Sequence, residues 1–180
     1  MYKRIISVSL AVILLLTCGV MLVTAAQPTL SVSSAVANPG DVVELEVVLE
    51  NNPGINTFSL GFDYDKSKLD LLDVTINENL GGQFVYREKA VWLNSKDTKY
   101  NGEILKLEFK VLDSAKSGDA EVNVTYSPGD ISNYDEQDVN FKTLSGKITV
   151  ENGETNVSFV QMILSFFNRI IEKIKDLFAF

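Results

Sequence analysis

Across residues 29–150 the chain alternates apolar and polar positions with a period of two. Val43, Leu45, Val47 and Leu49 are interleaved with Val42, Glu44, Glu46 and Val48. Phe58, Leu60, Phe62 and Tyr64 are interleaved with Thr57, Ser59, Gly61 and Asp63. Lys106, Glu108 and Lys110 separate Leu105, Leu107, Phe109 and Val111, and Asn123 and Thr125 separate Val122, Val124 and Tyr126. Successive side chains of a strand point to opposite faces, so each run predicts a strand with one side in a core and the other in water. Turn signals fall between the runs, at Asn38-Pro39-Gly40-Asp41, Asn52-Pro53-Gly54, Gly81-Gly82, Asn101-Gly102, Ser117-Gly118-Asp119, Ser127-Pro128-Gly129-Asp130 and Ser145-Gly146. Eight or nine short strands at this spacing predict an all-β sandwich over residues 27–150.

The pattern changes at both ends. Beyond a polar linker at 151–156, apolar residues fall three and four apart at Val160, Ile163, Leu164, Phe167, Ile170, Ile171, Ile174, Leu177 and Phe178. That spacing predicts an amphipathic helix over 157–180, with Asn156 placed to cap it. Phe159, Met162, Phe166 and Phe180 widen its apolar face. Arg169, Glu172, Lys173, Lys175 and Asp176 make it too charged to span a bilayer. The helix either packs on its own domain or serves as a membrane or assembly helix through Phe159, Ile163, Phe167, Ile170, Ile174, Leu177 and Phe178. Residues 1–26 read as a secretory signal peptide: Lys3 and Arg4 precede an apolar run, and Thr24-Ala25-Ala26 is a small-residue cleavage site. An uncleaved N-terminal anchor is the alternative. Together these features predict a secreted protein, with cell-surface association as an option.

Composition narrows the chemistry. The chain of 180 residues carries a net charge of −8, has no histidine, and has one cysteine, Cys18, inside the expected leader. Without Lys3 and Arg4 the remaining chain is more acidic still, a poor match for the phosphates of nucleic acid. With neither histidine nor cysteine left, the usual proton shuttle and the usual soft metal ligands are missing. Asp63, Asp65 and Asp70 suggest a calcium loop, but Lys68 and Val74 occupy the positions where an EF-type loop needs Gly and Glu. The acidic segment at Asp130, Asp135, Glu136 and Asp138 reads as a solvated loop. Paired carboxylates would suffice for glycoside hydrolysis, but those of the strands alternate outward with Lys. No G-x-S-x-G elbow or glycine-rich phosphate loop occurs. The expectation is a binding module with no catalytic residue, metal or cofactor of its own. Candidate anchors are Tyr86, Trp92, Tyr100 and Tyr134. In Ala90-Val91-Trp92-Leu93-Asn94 the alternation leaves open whether Trp92 or its neighbours Val91 and Leu93 face the core.

The segment NPGDVVELEVVLENNPGINTFSLGFDYDKSKLDLLDV, residues 38–74, resembles the N-terminal half of a cohesin domain. GEILKLEFKV at 102–111 resembles the family's second signature strand, and SAKSG at 114–118 its small-residue turn. The resemblance covers about residues 29–150. It implies a nine-stranded jelly-roll β-sandwich that binds a dockerin, a small calcium-loaded helical module of secreted polysaccharide-degrading enzymes. The calcium would belong to that partner. The family binds through a flat sheet face built from its third, fifth, sixth and eighth strands. Carried over by strand order, that face comprises Thr57, Ser59, Phe84, Tyr86, Ala90, Trp92 and Asn94, with Trp92 outward. Thr57 and Ser59 stand where the family usually has Asn and Asp. The alternatives are a carbohydrate-binding module of the same sandwich, contacting polysaccharide, and a structural module assembling through the 157–180 helix.

Overall fold

The computed structural model describes residues 26–151, together with Leu164, Phe166 and Asn168. The expected leader, the linker and most of the expected helix lie outside the described residues, including Phe159, Ile163, Phe167, Ile170, Ile174, Leu177 and Phe178. Between these ends the period-two runs become strands. In chain order they are β1 (Thr29–Val32), β2 (Ala35–Ala37), β3 (Val42–Glu50), β4 (Ile55–Tyr64), β5 (Leu69–Ile76), β6 (Gln83–Tyr86), β7 (Ala90–Thr98), β8 (Gly102–Val111), β9 (Gly118–Thr125), β10 (Ile131–Ser132), β11 (Lys142–Leu144) and β12 (Gly146–Val150). One 3-10 turn, Glu78–Leu80, separates β5 from β6 and is capped by the Asn77 side chain.

The strands form two sheets. The first runs β11-β1-β3-β8-β5, and the second β2-β12-β9-β4-β7-β6 with β10 paired against β4. Alternate side chains of both sheets meet between them. Leu45, Val47 and Leu49 of β3 and Leu105, Leu107 and Phe109 of β8 face Phe58 and Leu60 of β4, Trp92 of β7 and Val122 of β9, all fully buried. Phe58 stacks on Trp92 with ring centroids 5.2 Å apart, and Tyr64 meets Phe109 edge-on across the two sheets at 5.1 Å.

The strand count is corrected from nine to twelve, and the reason is physical. The N-terminal extended run crosses from the first sheet to the second at Ser33-Ser34, so it counts as β1 and β2. The C-terminal run makes the same crossing at Ser145 and counts as β11 and β12. At the crossing a Cβ on Gly146 would collide with the carbonyl oxygens of Val32 and Ser33, so only glycine fits. The two-residue β10 is the third addition, too short to show a period. The two terminal runs lie parallel and enter and leave at opposite ends of the sandwich. Lys142 N–H donates to Pro28 at one end (2.8 Å), and Glu151 N–H to Ala37 at the other (3.0 Å).

Candidate functional site

The outer face of the second sheet is assembled by register. On β4, β7 and β6 the row Thr57–Leu93–Gln83 runs across three neighbouring strands, and the row Ser59–Val91–Val85 lies beside it. The same registers put Phe58–Trp92–Phe84 and Leu60–Ala90–Tyr86 on the opposite side. Phe58 and Leu60 are core residues, so strand parity sends everything paired with them inward.

This parity corrects the site expected from strand order. Thr57 and Ser59 do lie on the outer face, half-buried. Trp92 and Ala90 do not: both have zero exposure, and Phe84 and Tyr86 pack against the core beside them. Trp92 is anchored twice, by its stack on Phe58 and by an indole N–H donating to the Gly81 carbonyl at 2.7 Å. Gly82, with φ of 77°, lies so close over this strand that a Cβ would strike the Leu93 carbonyl. Asn94 is half-buried and engaged with its own chain, donating to the Leu80 carbonyl and accepting from Ser95 N–H. In place of the three aromatics Phe84, Tyr86 and Trp92, the face presents three aliphatic side chains that strand order missed. Leu93 is 53% exposed, Val85 48% and Val91 37%. The one available signal was parity: once Phe58 and Leu60 are assigned inward, the antiparallel partner register decides β7 and then β6.

The face continues onto β9, where Gly61 pairs with Thr125 and Asp63 with Asn123. Beside Leu93, an open depression is lined by Gly82, Gln83, Leu93, Asn94 and Ser95. Polar groups around the ridge are largely committed. The Thr57 hydroxyl donates to the Trp92 carbonyl at 2.9 Å, and Ser59 N–H to the Asp130 carbonyl at 2.7 Å. Asp130 accepts from Ser127 N–H and pairs with Lys89 at 2.9 Å, and these contacts hold its carboxyl below the usual range. Hydrogen bonds from Lys147 and Thr149 lower Asp119 in the same way, and those from Ser67 lower Asp65. All three shifts run opposite to the one that makes a carboxyl a general acid near neutral pH. Tyr86 is pushed up, first by burial and then by the neighbouring Tyr64 and Asp73. Among the described residues no group of three or more acidic, histidine or cysteine side chains is arranged to hold a metal. An exposed aliphatic ridge on the outer face of a sheet is suited to binding an apolar surface of another macromolecule.

Comparisons with known proteins agree with this architecture. A family model described as "Cohesin domain" matches residues 28–150. The sixth cohesin of scaffoldin B from Acetivibrio cellulolyticus, solved with a mutant Cel5 dockerin, superposes with a TM-score of 0.60 at 26% identity. That match covers 70% of this chain and 100% of the other. A type I cohesin–dockerin complex from Clostridium thermocellum gives 0.58 at 16% identity, covering 70% and 100%. A non-cellulosomal cohesin from the archaeon Archaeoglobus fulgidus gives 0.60 at 19% identity, covering 74% and 98%. No curated protein matches the chain.

Proposed function

We propose that this chain, which belongs to the cohesin family, is a non-catalytic binding module that recruits a dockerin-bearing protein through the outer face of its second sheet. The observation that carries the reading is the ridge of Val85, Val91 and Leu93, exposed on neighbouring strands β6 and β7. When each sheet-crossing run is counted once, β4, β6, β7 and β9 are the third, fifth, sixth and eighth strands, those the family binds with. Thr57 and Ser59 replace the family's Asn and Asp, and the Thr57 hydroxyl already has an acceptor. Recognition therefore rests on aliphatic contact, and the fitting partner is a helix that presents an apolar face, with Leu93 and the adjoining depression taking its largest side chain.

Residues 1–26 support export, and a role in extracellular polysaccharide degradation is the setting in which such recruitment has a use. A carbohydrate-binding reading is less well supported, because sugar rings stack on exposed aromatics. The exposed aromatic of the described sandwich is Tyr134, in the loop between β10 and β11, and one ring makes no row on which a sugar chain could stack. The reading is tested by a pull-down with residues 27–180 as bait from proteins secreted by the source organism, in calcium and in EDTA. Calcium-dependent recovery of a dockerin-bearing protein is expected. Recovery that is the same for the parent and a Leu93→Asp bait would refute the assigned face.

A further inference from the structure

The hairpin that carries the ridge departs from the charge of the rest of the chain. The protein as a whole is acidic, at −8, yet residues 83–99 set Arg87, Lys89, Lys96 and Lys99 against Glu88 and Asp97. Lys89 is held by Asp130 at 2.9 Å, and the Asp97 carboxylate accepts from Tyr134 N–H at 2.7 Å. Glu88 sits between Arg87 and Lys89 at the tip of the turn. Arg87 and Lys96 are exposed, and among the described residues neither has an ion-pair partner. Register puts these two at opposite ends of the ridge. Leu60 pairs with Ala90 and Ala90 with Tyr86, so Arg87, in the turn that follows, stands level with Gly61, beyond Val85 and Val91. At the other end the pairs Ile55–Thr98 and Thr57–Leu93 enclose four residues of β7 against one of β4. Residues 94–97 therefore bulge, and Lys96 stands level with Asn56, beyond Leu93. From Asn56 to Gly61 is about 16 Å of strand, the length of three helical turns. The other broad face has the opposite character: Glu44, Glu108 and Asp73 form one row across β3, β8 and β5.

We infer that the ridge takes a partner helix lying along β7 whose apolar stripe is flanked by acidic residues, one pairing with Arg87 and one with Lys96. This rests on the recruitment reading and adds the charge of the partner to it. The aliphatic ridge by itself would accept any apolar helix face of the right width. Rim charges add little affinity each, but they set orientation and reject the wrong partner. At physiological salt the screening length is about 8 Å. A helix seated on the ridge therefore feels Arg87 and Lys96 and is largely screened from the acidic face across the sandwich. A helix with basic ends would meet like charge at both. An acidic partner is repelled by the Glu44–Glu108–Asp73 row, so one charge pattern favours the second sheet and disfavours the first.

The test is the affinity of residues 27–180, which contain every strand of the fold, for a calcium-loaded dockerin from the same organism, at physiological salt. Arg87→Glu with Lys96→Glu should weaken binding at least about tenfold, with the melting temperature unchanged. Lys116→Glu with Lys142→Glu makes the same change of net charge in the β8–β9 turn and on β11, away from the ridge, and should bind like the parent. Changing the acids that flank the dockerin's apolar stripe to Lys should restore binding to the Arg87→Glu, Lys96→Glu variant and weaken it for the parent. Equal binding by the parent and that variant would overturn the inference and leave recruitment standing. Tighter binding by the variant would assign a basic partner, and an equal loss in the Lys116→Glu, Lys142→Glu control would assign the effect to net charge; either overturns it. A parent that binds no dockerin fails the recruitment reading itself, and the inference falls with it.

Discussion

Trp92 and Leu93 are adjacent in sequence and opposite in role. Trp92 fills the core, so Trp92→Ala should cost about 3–5 kcal/mol of stability by chemical denaturation. Leu93→Asp removes an exposed side chain and should leave stability within about 0.5 kcal/mol while abolishing partner binding. Had Trp92 been the partner anchor, the two results would be exchanged. The alternation of residues 90–94 is symmetric in apolar content, so sequence alone left the face undecided, and strand order assigned it one residue out of phase. The pairing of Phe58 with Trp92 across β4 and β7 resolves it, and that pairing is a tertiary fact. Ionisation also acts at this scale. The Asp130 carboxyl is more acidic in the folded chain than in the unfolded one. Its contribution to stability is present above about pH 4 and is lost as pH falls through the lowered folded value. Asp130→Asn should therefore flatten the acid limb of a stability–pH curve, and a curve with unchanged slope below pH 4 would contradict this. For Tyr86 the sign reverses, because the folded state favours the neutral phenol. That contribution is complete below about pH 10 and declines above it, so Tyr86→Phe should lessen alkaline destabilisation.

Strand identity was the most legible property of the elements, because burial on one side enforces a period of two whatever the order of pairing. The long strands β3, β4, β8 and β9 lie where their alternation predicts. What the alternation does not encode is where an extended run leaves one sheet for the other, since a crossing keeps the backbone extended. The crossing is instead marked by a close approach. Gly146 sits against the Val32 and Ser33 carbonyls, and Gly146→Ala should destabilise the fold by more than about 2 kcal/mol or prevent soluble expression. The Gly81-Gly82 turn does comparable work for the site. It brings β6 back against β7 with positive φ at both glycines, and Gly82 has no room for a methyl group. Gly82→Ala should lower stability and also weaken partner binding, because it displaces the strand that carries Val85. Binding that is fully retained by a destabilised Gly82→Ala protein would detach β6 from the interface.

For the whole molecule, the arrangement of ends and faces is coherent. The C-terminal run leaves beside Ala37, about 30 Å along the strands from the entry at Pro28. The ridge lies on the broad side of the second sheet and not at either end. The family and the sandwich could be read from ordered segments such as residues 38–74 and 102–111, which carry turn and strand signals together. The composition of the outer face of the second sheet could not, because it depends on the parity of β7. The most direct test is titration calorimetry of residues 27–180 with a calcium-loaded dockerin from the same organism, beside the Leu93→Asp variant. The account predicts saturable binding that EDTA abolishes and that Leu93→Asp loses with its melting temperature unchanged. No binding by the parent, or equal binding by the variant, would contradict it.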